Sequence, residues 1–170
     1  MADYFRTMAF AIDTERLSLR LRTKEDAECN LELLREHEGG TTLSIGEVEQ
    51  RMDERNTQAH EEGFGILGIR RRNEERPIGY CGLHIGRASF DEPEIAYEIL
   101  PQFRGHGYAT EAVGAVIEAA FATGRERLWA TVGSWNAPSF RVLEKNGFSA
   151  HHSGTGENGE FVWMIRNAPA

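Results

Sequence analysis

Cysteine is scarce in this chain. Only Cys29 and Cys81 occur in 170 residues, far apart and without the spacing of a metal motif. They predict reduced, structural thiols in a cytoplasmic protein rather than a disulfide framework. Long apolar runs are missing too: none approaches the roughly 20 residues that a membrane helix needs. The first ten residues, MADYFRTMAF, lack both a basic n-region and an extended apolar core, so no signal peptide is read. Repeats, low-complexity segments and linkers are not found. Positive charge is in the minority, with a formal net charge of −8. That argues against general affinity for nucleic acid. It is compatible with a cationic substrate such as an amine, although many acidic proteins bind nothing cationic.

What is present fits one soluble domain, residues 1–170, with a core of its own: 40% of residues are hydrophobic and 27% charged. In TERLSLRLR, Leu17, Leu19 and Leu21 alternate onto one face, which predicts a strand. Thr23 and Asp26 then form a T-x-x-D box that opens a helix through about Glu38, and Ser44 with Glu47 repeats the device for a helix toward Glu62. GFGILGIRRR and PIGYCGLHIG read as two strands around the polar turn RNEER. EIAYEIL, Glu94 to Leu100, is another strand, stopped by Pro101. Ala109, Ala112, Val113, Val116, Ile117 and Ala120 follow at helical spacing. LWATV is a short strand. Asn136 is an N-cap with Pro138 in the first turn, and Gly147 stops that helix. A hairpin from Phe148 to about Asn167 turns in GTGENG. The expected fold is α+β (mixed α/β), with seven strands and four helices in the order β-α-α-β-β-β-α-β-α-β-β.

The stretch LPQFRGHGYATEA, residues 100–112, places two glycines where a helix begins. A helix N-terminus offers unpaired N–H groups and the positive end of its dipole, and glycines let a phosphate reach the backbone. No G-K-[ST] follows, so this is not a Walker loop, and the third glycine of a dinucleotide fingerprint is absent. The motif Gln102-Phe103-Arg104-Gly105-His106-Gly107 matches the [Q/R]-x-x-G-x-[G/A] pattern of the GNAT superfamily of N-acetyltransferases. With the flanking EIAYEILP and YATEA, the later NAPSFRVLEKNGF (136–148) and the early TERLSLR, the chain resembles the branch that includes the ribosomal-protein N-terminal (alanine/serine) acetyltransferases. The resemblance runs from Thr14 to Phe148. It implies a mostly antiparallel sheet, splayed in its middle to hold acyl-CoA. It also implies acetyl-CoA as co-substrate, held by Ile99, Leu100, Gln102, Arg104, Gly105, His106, Gly107, Tyr108, Ala109, Thr110, Asn136 and Ser139, with no metal.

Acetyl transfer to an amine needs a neutral amine, although such groups have solution pKa values of about 8 to 10. It also needs a donor for the developing oxyanion and a proton for the leaving thiolate. Glu94 and Glu98 lie four apart and share a face of a regular strand. By resemblance, Glu94 stands about where several superfamily members carry a catalytic glutamate, and acts as base through water. The alternative is a pair of solvated carboxylates. The oxyanion donor would be a backbone N–H near Ile99 or Leu100. Many GNAT enzymes place an acidic tyrosine where this chain has Leu143. The ribosomal-protein branch uses N-x-x-S instead, which Asn136 and Ser139 match: Asn136 bonds the pantetheine arm and Ser139 donates to the thiol. Simple helix capping by the same two residues is the competing reading.

Other features carry less. His151 and His152, adjacent on a strand, should point to opposite faces, without a third metal ligand. His106 reads as solvent-facing, and Arg70, Arg71 and Arg72 as a solvated hairpin end that could meet a ribosomal surface or an acidic peptide. Trp129, Trp135 and Trp163 read as core or dimer contacts, leaving a homodimer open. The function that follows is an acyl-CoA-dependent N-acetyltransferase acting on a primary amine. The acceptor could be a protein N-terminus, such as that of a ribosomal protein, or a small polyamine, amino acid or aminoglycoside. Some relatives transfer longer groups such as succinyl. A non-catalytic acyl-CoA-binding sensor and an interaction protein that has lost the cofactor are the alternatives from other classes.

Overall fold

The structure, a computed structural model, describes residues 4–37 and 39–170. Its elements are β1 (Ala11–Asp13), β2 (Leu17–Leu21), α1 (Ala27–Glu36), α2 (Ile45–Glu62), β3 (Ile66–Arg71), β4 (Pro77–His84), β5 (Glu94–Ile99), α3 (Tyr108–Phe121), β6 (Arg127–Gly133), α4 (Ala137–Lys145), β7 (Ser149–Gly156) and β8 (Gly159–Asn167). The mixed α/β fold is the expected one, but the sheet has eight strands, not seven. The additional strand, β1, is three residues long with no buried position, so it has no hydrophobic alternation to betray it. It exists because its backbone pairs with β2, from Ala11↔Arg20 to Asp13↔Ser18.

Caps set the helix starts. Ser44 accepts a hydrogen bond from the Glu47 N–H, and Glu47 accepts one from the Ser44 N–H at 2.7 Å, the predicted reciprocal box. The Thr23 N–H donates to Asp26 at 2.8 Å, but this box opens a short 3-10 turn, and α1 proper starts at Ala27. The helix ends at Glu36; Glu38, its expected end, lies outside the described residues.

The strand order is β1-β2-β3-β4-β5-β6-β8-β7. Every neighbouring pair is antiparallel except β5 with β6, which is parallel. The main core joins Leu17, Leu19, Leu67, Ile69, Ile78 and Leu83 of the sheet to Val113, Val116 and Ile117 of α3. A smaller cluster, Ala27, Leu31, Val48 and Met52, ties α1 to α2. Asn56 of α2 donates to the Arg22 carbonyl at 2.6 Å and so fixes α2 against the end of β2.

Candidate active site

The glycine loop has the geometry its sequence demands. Pro101 closes β5 into a one-turn 3-10 segment, and α3 starts at Tyr108, after the strand has ended at Ile99. Gly105 and Gly107 have φ of +79° and +80°, left-handed values that side chains resist. A β-carbon placed on Gly105 would meet nothing within 4 Å; one on Gly107 would meet only an Arg16 guanidinium nitrogen at 3.3 Å. This is an open, amide-lined turn at the N-terminus of a 14-residue helix, and it fits a pyrophosphate.

A residue just before β2 props that loop. Arg16 donates through Nη1 to the His106 carbonyl at 2.8 Å and through Nε to Glu111 of α3 at 2.7 Å. Glu111 also accepts from the Thr14 hydroxyl at 2.6 Å and the Arg16 N–H at 2.9 Å. Partial burial works to raise the Glu111 pKa, but these bonds together hold it below the ordinary carboxylate value. Neither Arg16 nor Glu111 was singled out by the sequence, because they meet across 95 residues.

Between β5 and β6 only Glu94↔Trp129 is in register, with the Trp129 N–H bonded to the Pro93 carbonyl at 3.0 Å. Beyond that point the strands part around a cavity of about 380 Å³, lined among others by Glu94, Tyr97, Glu98, Thr131, Asn136 and Ser139. The splay inferred by resemblance is therefore present. One expectation is narrowed. The Leu100 N–H donates to the Ile78 carbonyl at 2.8 Å and is spent in the ladder with β4. Strand alternation turns the Ile99 N–H and C=O the other way, toward the splay, where the carbonyl accepts from Arg104 Nε at 2.8 Å. Of the two backbone donors considered, Ile99 is the one whose N–H is not spent in the ladder with β4.

Glu94 and Glu98 do share this cavity, but not an environment. Glu94 is 3% exposed. It accepts from the Arg87 N–H at 2.6 Å and the Thr131 hydroxyl at 3.0 Å, with His84 Nε2 at 3.9 Å. Burial pushes the His84 imidazole below its usual pKa, against the pull of Glu94. Glu98 accepts from the Tyr80 hydroxyl at 2.9 Å and lies 2.6 Å from His37 Nε2. It lines the splay and also an adjoining cleft of about 250 Å³ under α2. Neither glutamate is simply solvated. His84, His37 and Tyr80 went unread because their partners come from register or from 61 residues away.

Asn136 caps α4, its Oδ1 accepting from the Ser139 N–H at 3.3 Å, so the capping reading holds whatever else these residues do. Tyr97 reaches across from β5 and bonds the Ser139 carbonyl at 3.1 Å and lies 3.2 Å from Ser139 Oγ. Burial pushes the Tyr97 phenol up to about 12, so it keeps its proton at neutral pH. Leu143, where the resemblance would place a tyrosine, is a buried core residue.

The remaining residues fall as follows. Gln102 donates to Glu32 of α1 at 3.4 Å rather than into the loop. His106 is exposed, 5.7 Å from the Tyr108 ring, over which the Arg16 guanidinium lies at 4.7 Å. Ala109 packs on the core, and the Thr110 carbonyl accepts from Asn146 at 3.3 Å. Arg70 is not a solvated hairpin end: it grips the buried Asp26 at 3.1 and 3.2 Å. His151 and His152 do not point apart. A bulge between Ala150 and His152 brings the rings to 5.0 Å, with Nδ1 atoms 2.7 Å apart. Among the described residues no three His, Cys, Asp or Glu side chains gather as a metal site. No helix there is long and apolar enough to cross a membrane.

Comparison with known proteins agrees with this geometry. Residues 16–149 match the family model described as acetyltransferase (GNAT) domain. The chain is 34% identical over 147 residues to the uncharacterized N-acetyltransferase YoaA of Bacillus subtilis, covering 81% of each chain. The chain belongs to the GNAT family of acetyltransferases. Its fold superposes on a ribosomal-protein-S5-alanine acetyltransferase from Vibrio fischeri with a TM-score of 0.76 and 20% identity, over 94% of this chain and 97% of that one. It also superposes on the aminoglycoside acetyltransferase AAC(6')-Ib, solved with coenzyme A, with a TM-score of 0.71 and 20% identity over 89% and 94%. At that identity these two likenesses speak for the fold alone.

Proposed function

We propose that this chain transfers an acetyl group from acetyl-CoA to a primary amine, a peptide or protein N-terminus included. The observation that carries this reading is the conjunction of the left-handed glycine turn at the start of α3 with a sheet that splays beside Glu94, Glu98 and Ser139. A structural glycine turn would explain the first but not the second.

Acetyl-CoA supplies an activated acyl group as a thioester. The chain does the rest. The Gly105–Gly107 turn and the α3 N-terminus hold the pyrophosphate, and Asn136 holds the pantetheine arm. The Ile99 N–H stabilises charge that develops on the acyl oxygen. Glu94 takes, through water, the proton that the nitrogen sheds as its bond to the acyl carbon forms and the C–S bond breaks. His84, kept neutral by its burial, stands beside that route. Ser139 gives a proton to the departing sulfur and is resupplied from Tyr97 and solvent, so the proton lost at nitrogen equals the one gained at sulfur.

The test follows free thiol after mixing the protein with acetyl-CoA and a panel of primary amines. Thiol release that depends on added amine is expected. CoA binding without amine-dependent thiol would favour a sensor, and no CoA binding at all would overturn the reading of the loop.

A further inference from the structure

The cleft under α2 has a charge opposite to that of the whole molecule. The chain carries a net −8. Yet Arg22, Arg51 and Arg55 line this cleft, together with His37 and His84, against one carboxylate, Glu98. Arg51 and Arg55 sit one turn apart on α2, exposed, and among the described residues neither forms an ion pair within 4.0 Å. The acidic groups nearby bond other partners, Glu47 accepting from Ser44. Asp26 is held by Arg70, and Glu54 and Glu62 of α2 accept from Gln50 and Gln58.

Arg22 is the most telling of the three. It is 8% exposed, and its Nε has no hydrogen-bond partner. Its Nη1 reaches only Asn30, at 3.3 Å. Burying a guanidinium without an anion is costly, and a chain can hold that arrangement where a bound anion completes it. The guanidinium lies 5.7 Å from the centre of the Tyr80 ring, whose hydroxyl bonds Glu98. The guanidinium thus lies over the ring of the same tyrosine whose hydroxyl holds the carboxylate. A ligand with an amine at Glu98 and an anion at Arg22 would bridge the same short span.

The cluster is not part of the pyrophosphate cradle. Arg16, which props the glycine loop, and Arg22 flank opposite ends of β2. Six residues of extended chain separate them by about 20 Å.

We propose that the Arg22, Arg51 and Arg55 cluster is an anion subsite for the acceptor, so that the preferred acceptor is a primary amine bearing a carboxylate close by. This rests on the N-acetyltransferase reading and names its substrate class. The carboxylate can be the α-carboxylate of a free amino acid or an acidic side chain early in a peptide. Polyamines and aminoglycosides, which bring further positive charge to three arginines, are disfavoured.

Matched acceptors test this: L-alanine against L-alaninamide, and amidated tetrapeptides beginning Ala-Glu-Glu against Ala-Gln-Gln, with spermidine as the polycation. For each, kcat/KM is measured for the parent enzyme, Arg51→Gln, Arg55→Gln and the double variant. These two residues are exposed, so the variants can be expected to fold; Arg22→Gln is added with a melting curve. The acid-over-amide ratio of kcat/KM should fall about tenfold or more in the double variant, and the comparison within one enzyme cancels general damage. Which pair shows the preference tells amino acid from peptide. Calorimetric titration of the same acceptors into CoA-loaded protein reads the subsite without turnover. Carboxylate-dependent binding lost in the double variant would sustain it even if no acetyl transfer occurred, whereas failed transfer would count against the enzymatic reading alone. Equal binding and equal rates for acid and amide, or a preference for spermidine, would overturn the proposal.

Discussion

Ser139 and Tyr97 concentrate the chemical question into two hydroxyls 3.2 Å apart. If Ser139 protonates the sulfur, Ser139→Ala lowers turnover by about 10²–10⁴-fold while changing CoA affinity far less. Tyr97→Phe should give a smaller loss, since solvent can resupply the serine. Equal turnover in a folded Ser139→Ala protein, under conditions where chemistry limits the rate, would leave Ser139 as a helix-turn residue. The carboxylates separate by pH. Glu94→Gln should cost most at low pH, where the amine is protonated, and recover partly at high pH. If the cleft under α2 takes the acceptor, Glu98→Gln should mainly raise the acceptor KM, because Glu98 lines that cleft. Comparing pH–rate profiles of both single variants and the double variant assigns the base; a Glu94→Gln profile that matches the parent would remove Glu94 from that role. Much of this was legible as residue types on one strand face. The partners were not. Thr131, His84, Tyr80 and His37 reach the glutamates through tertiary contacts that no local spacing encodes.

At the level of elements, β2, the glycine loop and α3 act as one clamp. Arg16 bonds the His106 carbonyl and Glu111, so it fixes the loop's left-handed turn. Arg16→Leu should therefore raise the KM for acetyl-CoA several-fold with a smaller change in kcat, a loss of charge-assisted bonds worth about 1.5–3 kcal/mol at most. A matching loss in Glu111→Gln would support the clamp; unchanged KM in both would refute it. Gly107→Val tests the loop itself: a β-branched side chain at φ +80° should weaken CoA binding roughly tenfold or more, about 1.4 kcal/mol. Calorimetry on a folded variant decides this, and undiminished affinity would defeat the phosphate reading. The elements were mostly legible because each carried a cap, a period or a glycine stop. α2 was read from Ser44 to Glu62 and runs Ile45–Glu62. β1 and the β7 bulge were not legible, since pairing with a neighbour, not side-chain pattern, creates both.

Across the whole molecule, acid should act in two stages. His84 has a folded pKa depressed by burial below 6.5, so the unfolded chain binds its proton first. Stability is fully present above about pH 6.5 and falls as pH drops below it. Glu111, with a folded pKa lowered from 4.5, adds a second loss as pH falls through the acid carboxylate range. Melting temperatures of the parent and His84→Gln between pH 5 and 7.5 check the first stage: the variant should show a shallower slope, and parallel curves would contradict it. The family and its sheet were legible because the motifs run through most of the chain. The reversed charge of the cleft under α2 was not, because Arg22, Arg51 and Arg55 converge only when α2 docks against the end of β2.

The most direct measurement uses acetyl-CoA with an isotopically labelled acetyl group, the parent protein and an amine that it accepts. Mass spectrometry of the amine and assay of free thiol are read together. The account predicts label in an amide on the acceptor, equal in amount to the thiol released, and loss of both signals in Gly107→Val. Thiol release without labelled amide, or labelled amide undiminished in a folded Gly107→Val protein, would contradict it.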